Sequence, residues 1–397
     1  MDSIFADRIH DVPKSFIREI LKVTLNRDVI SFAGGLPNRD FFPLQELKKS
    51  TDHVFEKYGK DILQYSTSEG FNPLRHYISN RYKSNDGLEV PIENILITNG
   101  SQQGLDLLGK VLLNRGDGMI MEEPGYLGAI QAFSMYKPEF YPVPVNEKGM
   151  DIQLLKETLL KSSPKLMYTV PNFQNPSGIS YSEDNRQKVA ELLQSTKTMV
   201  IEDNPYGDLR FMGEKKTSFK TLLPSQTIML GSFSKTVIPG FRLGWMVAPE
   251  NIMQKLIIAK QASDLHTSHF TQCIIYQYLS NNNIEEHINK IRDVYGRQCR
   301  AMLTAIDTYF PKDVSVTKPE GGMFLWATLP TGMSALKLFE IAAEDNVVFV
   351  PGDPFYVNRT NSNTMRLNFS CVDEATIKIG IERLGKAIKK LAAKNKS

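Results

Sequence analysis

Short apolar runs alternate with amphipathic stretches along most of the chain. Runs at residues 93–98, 118–121, 165–170, 198–201, 227–230 and 243–248 are each followed by a glycine, a proline, an asparagine or an acid, a pattern that predicts buried strands. Between them lie helical patterns. Residues 105–113 place Leu105, Leu108, Val111 and Leu112 on one side. Residues 182–193 open with Ser182 as a cap and two acids in the first turn. Residues 15–24 set Phe16, Ile20 and Val23 on one face, with Arg18 off it. Strands alternating with helices imply an α/β fold around a mostly parallel, doubly wound sheet. After about residue 283 the pattern changes to a long charged helix, 285–309, and strands near 319–327, 346–356 and 364–370. That part reads as a smaller α+β unit against which the N-terminal segment packs. The expected division is 1–45, 46–283 and 284–397.

Length, charge and cysteines narrow the class. The chain has 397 residues, more than one hydrophobic core usually serves. A net charge of +3 implies no strong field for nucleic acid or membrane. The basic stretch 386–396 reads as the solvated end of a last helix. Cys273, Cys299 and Cys371 are far apart, which argues against a disulfide framework or a zinc site and fits a reducing compartment. No apolar signal core stands among the first residues, and no run is long enough to span a bilayer. The expectation is a soluble cytoplasmic enzyme with no metal.

The chemistry gathers around residues 231–245. Lys235 stands on the turn after one strand and before another, where ligand groups collect. A lysine there can form an imine if its surroundings favour the neutral amine. Ser232, Ser234 and Arg242 are donors suited to a phosphate. Imine and phosphate together suggest pyridoxal phosphate. Other strand ends add to this. Residues 99–104 form a glycine-marked turn running into a helix, whose free N–H groups and dipole suit a phosphate, with Ser101 as both cap and donor. Glu202 and Asp203 are adjacent on an extended chain, so they point to opposite faces. Arg366 lies among apolar residues of the last strand, and a buried arginine needs an anion.

Ser-x-Ser-Lys, three residues, then Pro-Gly-x-Arg-x-Gly at 232–244 resembles the cofactor-lysine signature of fold-type I pyridoxal phosphate aminotransferases. The likeness runs from Arg18 to Ser370 and is nearest to the 2-aminoadipate/kynurenine group, whose pattern 350–356 also resembles. It implies that Lys235 carries the cofactor and that Asp203 faces the ring nitrogen, while Glu202 is a rim or structural acid. Tyr126 would stack on the ring, and Asn175 and Tyr206 would donate to its phenolate oxygen. Ser101, Gln102 and Gln103 match the phosphate-binding triplet. Tyr65 would reach the phosphate of the partner subunit, making a homodimer with shared active sites. Arg366 would grip the substrate α-carboxylate. Gly35, Phe355, Arg18 and, less directly, Asn172 would line the substrate side. Arg18 also reads as a surface arginine. The implied activity is ping-pong transfer of an amino group from an L-amino acid of the 2-aminoadipate, aromatic or kynurenine, glutamate or branched-chain type to a 2-oxo acid, with 2-oxoglutarate the expected acceptor and Lys235 as base and acid. Two other readings remain: a lyase using the same cofactor, and a regulator on this fold. Against the second, the matching segment starts too near residue 15 to leave room for a DNA-binding domain.

Overall fold

The computed structural model describes residues 4–10, 29–358 and 360–394. The expected helix at 15–24, and Arg18 with it, lies outside those residues.

The strands, in chain order, are β1 (Ile30–Ser31), β2 (Ile95–Thr98), β3 (Gly118–Glu123), β4 (Glu139–Asn146), β5 (Gly149–Met150), β6 (Leu166–Thr169), β7 (Met199–Asp203), β8 (Thr227–Ser232) and β9 (Gly244–Val247). They continue with β10 (Ser315–Val316), β11 (Phe324–Thr328), β12 (Val347–Val348), β13 (Val350–Pro351) and β14 (Thr364–Asn368). Eight of them form the main sheet in the order β2-β9-β8-β7-β6-β3-β4-β5. The pairs β4–β3, β3–β6, β6–β7 and β7–β8 are parallel. Strand β9 runs antiparallel to both of its neighbours. Its connection from β8 is a short loop, and only a longer crossover could have made the pair parallel.

Helices cover both faces, so the central strands are buried on each side. On one face Leu105 and Leu108 of the helix Gly100–Leu112 share a core with Leu230 and Met246 of the sheet. On the other, Val189 and Leu193 of the helix Glu183–Gln194 pack with Met167 and Val200. Ser182 caps that helix as expected, accepting from the Asn185 N–H. The helix after β2 departs from expectation. It begins at Gly100 rather than 105, and Asn99, not Ser101, is its cap residue.

The C-terminal part holds a four-stranded antiparallel sheet, β10-β11-β14-β13. The long helix Ile284–Tyr309 and the last helix Glu374–Lys394 pack on each other. The strand expected over 346–356 is instead two short strands and a 3-10 turn, Asp353–Phe355. Pro351 and Pro354 lack the N–H groups that a continuous ladder requires. The basic stretch after 386 is not wholly solvated, because Ala387, Ile388 and Leu391 are buried. Strand β1 pairs in parallel with β12, so both chain ends contribute to one small sheet.

Candidate active site

In a parallel sheet the carboxyl ends of the strands share one edge, and the loops leaving them converge. Here β3, β6, β7 and β8 end on that edge, and the helix Gly100–Leu112 starts beside them. They surround a cavity of about 350 Å³.

Lys235 enters it from the loop after β8, and its Nζ donates to the Gly35 carbonyl at 2.7 Å. Burial, with the positive charges of Arg366 and Arg242 nearby, pulls its pKa down to about 8. About a tenth of such a lysine is neutral at pH 7, enough to act as a nucleophile or base.

Asp203 ends β7 and is 2% exposed. Its Oδ2 accepts from the Tyr168 hydroxyl at 2.8 Å, while Oδ1 is buried with no hydrogen-bond partner among the described residues. Burial raises its pKa to about 7, against the pull of the Tyr168 bond. Glu202 points to the opposite side of the strand. There it accepts from Ser218 at 2.5 Å and lies 4.0 Å from the buried Arg186.

Arg366, on β14, is the cavity's other buried charge. It donates to Asn175 Oδ1 at 2.8 Å and to the Ala33 carbonyl at 2.7 Å. Its guanidinium lies 4.4 Å from the Phe324 ring centre and 5.3 Å from that of Phe355. Nε is buried and unpartnered among the described residues. Burial lowers its pKa to about 10, which leaves it charged at neutral pH. Asn175 also donates from Nδ2 to the Tyr206 hydroxyl at 3.1 Å, so one amide joins the guanidinium to the phenol.

Arg242 and the start of the helix Gly100–Leu112 form the third wall. Gly100 has φ +73°, and a Cβ on it would stand 2.8 Å from Arg242 Nη2. Glycine is therefore favoured by the left-handed backbone, and it lets the guanidinium lie close to the helix start. Ser101, Ser232 and Ser234 line the same wall. The Ser101 and Ser232 hydroxyls donate only in 3.4 Å contacts to backbone carbonyls, and the Ser232 oxygen also accepts from the Ser234 N–H at 3.1 Å, so both hydroxyl protons can turn to a ligand.

Of the residues expected at the site, Gly35, Ser101, Gln102, Tyr126, Asn175, Asp203, Tyr206, Ser232, Ser234, Lys235, Arg242 and Arg366 all border the cavity. Others stand elsewhere. Gln103 turns away, bonding Asp264, Lys260 and the Asn99 N–H. On a helix three consecutive residues cannot share one face, so the triplet divides after Gln102. Phe355 is fully buried behind Arg366. Asn172 faces the other side, accepting from Arg186 and donating to Asn204. Tyr65 is 79% exposed, edge-on to His266. Sequence reasoning missed Tyr168. The available signal was a tyrosine inside a buried strand, whose hydroxyl must find a partner.

These groups fit pyridoxal phosphate. Asp203 offers an unpartnered carboxylate oxygen to a protonated ring nitrogen. Arg242, the serines and the helix start offer donors to a phosphate. Among the described residues no cluster of His, Cys, Asp or Glu could hold a metal ion, and no helix is long and apolar enough to cross a membrane.

Comparison with known proteins agrees with this chemistry. Residues 27–384 match the family model described as aminotransferase class I and II. The chain is 41% identical over 394 residues to aromatic-amino-acid aminotransferase 1 of Thermococcus litoralis, covering 98% of this chain and 94% of that protein. A solved kynurenine aminotransferase of Pyrococcus horikoshii, in complex with PMP, superimposes with a TM-score of 0.94 at 42% identity, covering 98% of each chain. The α-aminoadipate aminotransferase LysN of Thermus thermophilus, complexed with a phosphopyridoxyl-leucine, gives 0.92 at 39%, covering 99% of each. With that likeness over almost its whole length, the chain belongs to the class I and II aminotransferases and is a pyridoxal phosphate-dependent transaminase.

Proposed function

We propose that the preferred amino donors are L-amino acids with an acidic or aromatic side chain, of the 2-aminoadipate, kynurenine and aromatic type, and that 2-oxoglutarate is the acceptor. The relatives named above support this choice of donor. The assignment of roles rests on one observation: Lys235 Nζ, the unpartnered Asp203 Oδ1 and the unpartnered Arg366 Nε border a single cavity.

When bound, pyridoxal phosphate supplies the carbon that carries the migrating amino group and a ring that accepts electrons from the substrate α-carbon. Arg366 binds the substrate α-carboxylate. The Phe324 and Phe355 rings pack against its planar guanidinium and fix its position for a two-pronged contact. Asn175 holds Arg366 and Tyr206 in a fixed relation. Lys235, its amine depressed to about 8, removes the α-proton and returns it. Asp203 keeps the ring nitrogen protonated, with Tyr168 setting its orientation. Arg242, Ser101, Gln102, Ser232 and Ser234 hold the phosphate.

The same reading makes the enzyme a homodimer in which Tyr65 reaches the partner's phosphate. Leu63, Tyr65 and Leu265 are 71, 79 and 52% exposed, an apolar rim that a second copy would cover. Its cofactor-bearing unit is 46–283, and both chain ends form the smaller unit. Three free thiols fit a reducing, cytoplasmic setting. A panel of L-amino acids with 2-oxoglutarate, scored by glutamate formed, tests the donor class. Turnover confined to branched-chain or small donors would refute the substrate reading. Release of ammonia and an oxo acid without any acceptor would make the enzyme a lyase.

A further inference from the structure

Lys260 has a fully buried side chain, and none of the chemistry above uses it. Its Nζ donates to Asp264 Oδ1 at 2.9 Å and Oδ2 at 3.1 Å, to Gln103 Oε1 at 2.9 Å and to Thr267 Oγ1 at 3.1 Å. Every ammonium proton is therefore placed. Asp264 Oδ2 in turn accepts from Asn99 Nδ2 and from Gln103 Nε2, each at 2.6 Å. Gln103 Oε1 also accepts from the Asn99 backbone N–H at 2.8 Å. Thr267 donates to the Ile97 carbonyl near the end of β2. Asn99 is thus held twice, once by its side chain and once by its backbone. Its side chain makes no cap bond to its own helix and reaches Asp264 instead.

The residue it delivers is Gly100, whose φ of +73° brings the helix start against Arg242. Ser101 and Gln102 follow and border the cavity. Burying a lysine ammonium, even against a half-buried carboxylate, is a costly way to gain stability alone, because an apolar residue of equal volume often does as well. Directed bonds do something that apolar packing does not: they fix the turn's position to a few tenths of an ångström.

We propose that Lys260, Asp264 and Gln103 are positioning residues for the cofactor phosphate, acting as a clamp behind the Asn99–Gly100 turn. The proposal rests on the reading of Arg242, Ser101 and Gln102 as the phosphate site. Gln103 acts from behind the turn, while its two predecessors face the ligand.

The test uses the purified holoenzyme. Gln103→Leu removes the three bonds that the amide makes. Lys260→Met removes the ammonium, and Gln103→Leu is the variant relied on if Lys260→Met does not fold. Cofactor dissociation is followed by dialysis and visible absorbance, and the bound phosphate by 31P NMR. The expected result is a dissociation constant raised roughly 10- to 100-fold, with the 31P signal moved toward that of free pyridoxal phosphate. Saturating cofactor should restore the turnover number of Gln103→Leu, a rescue that a general folding defect would not permit. Arg242→Leu separates the two readings. If it releases cofactor while Gln103→Leu retains it with an unchanged 31P signal, the clamp is wrong. If Arg242→Leu itself leaves retention and the 31P signal unchanged, the phosphate assignment fails and the clamp falls with it.

Discussion

Replacing Asp203 with asparagine should stabilise the cofactor-free protein at alkaline pH while disabling the enzyme. The carboxyl is buried, and its pKa is raised from 3.8 to about 7, chiefly by burial. The folded protein therefore holds this proton more tightly than the unfolded chain does. Below about pH 3.8 the carboxyl is neutral in both states and costs nothing extra. As pH rises toward 7 the unfolded chain ionises first, and stability falls by about 1.4 kcal/mol per pH unit. Above about 7 the full cost, about 4 kcal/mol, is present. The amide of Asp203→Asn carries no charge, and its oxygen can still accept from Tyr168. Its new N–H group replaces the unpartnered Oδ1, a cost of about 1–3 kcal/mol. The cofactor-free variant should thus exceed wild type by about 1–3 kcal/mol at pH 8.5, and the advantage should vanish near pH 5. Urea denaturation of both cofactor-free proteins at pH 5, 7 and 8.5, at one protein concentration, measures the difference. With cofactor, the variant should lose amino transfer by roughly 10²- to 10³-fold, the effect of removing one preorganised electrostatic partner. A stability difference that does not change with pH would refute the argument, since the cost of ionising the buried carboxyl is what makes it vary.

Three further outcomes are expected. Lys235→Ala should abolish both the visible absorbance of the bound cofactor and the first half-reaction, as read by stopped-flow mixing with an amino acid. Arg366→Leu should raise the KM of amino donors by roughly 30-fold or more while sparing cofactor affinity, because it removes a desolvated charge partner worth about 2–5 kcal/mol. Comparable KM values would exclude Arg366 from carboxylate binding. Tyr168→Phe takes away the bond that pulls the Asp203 pKa down, so that pKa should rise above about 7. The cofactor-free variant should lose about 1.5–3 kcal/mol at pH 8.5, and less near pH 5, where the carboxyl is protonated in the folded protein.

Periodicity and punctuation in the chain were enough to determine the alternating strands, the change of character after residue 283 and the lysine at a strand end. These are local properties: a buried strand must be apolar, and a turn at a ligand needs glycine, proline and short polar side chains. The motif around Lys235 went further: a lysine beside phosphate-suited donors suggested the cofactor, and the motif's resemblance to the aminotransferase signature gave Asp203 and Arg366 their expected roles. What the chain could not reveal is which way a side chain turns once its backbone is placed. Ser101, Gln102 and Gln103 are consecutive, and only the helix's rotation about its axis, set by Leu105 and Leu108 against the sheet, sends Gln103 to Lys260 and Asp264 instead of the cavity. Tyr168 is a buried strand residue like its neighbours until β7 is laid beside β6 and puts Asp203 within 2.8 Å of its hydroxyl. Phe355 sits behind Arg366 because β13 and β14 pair antiparallel and bring the turn after β13 beside the last strand. Such partnerships depend on distances between separate elements, and those are determined by packing in three dimensions.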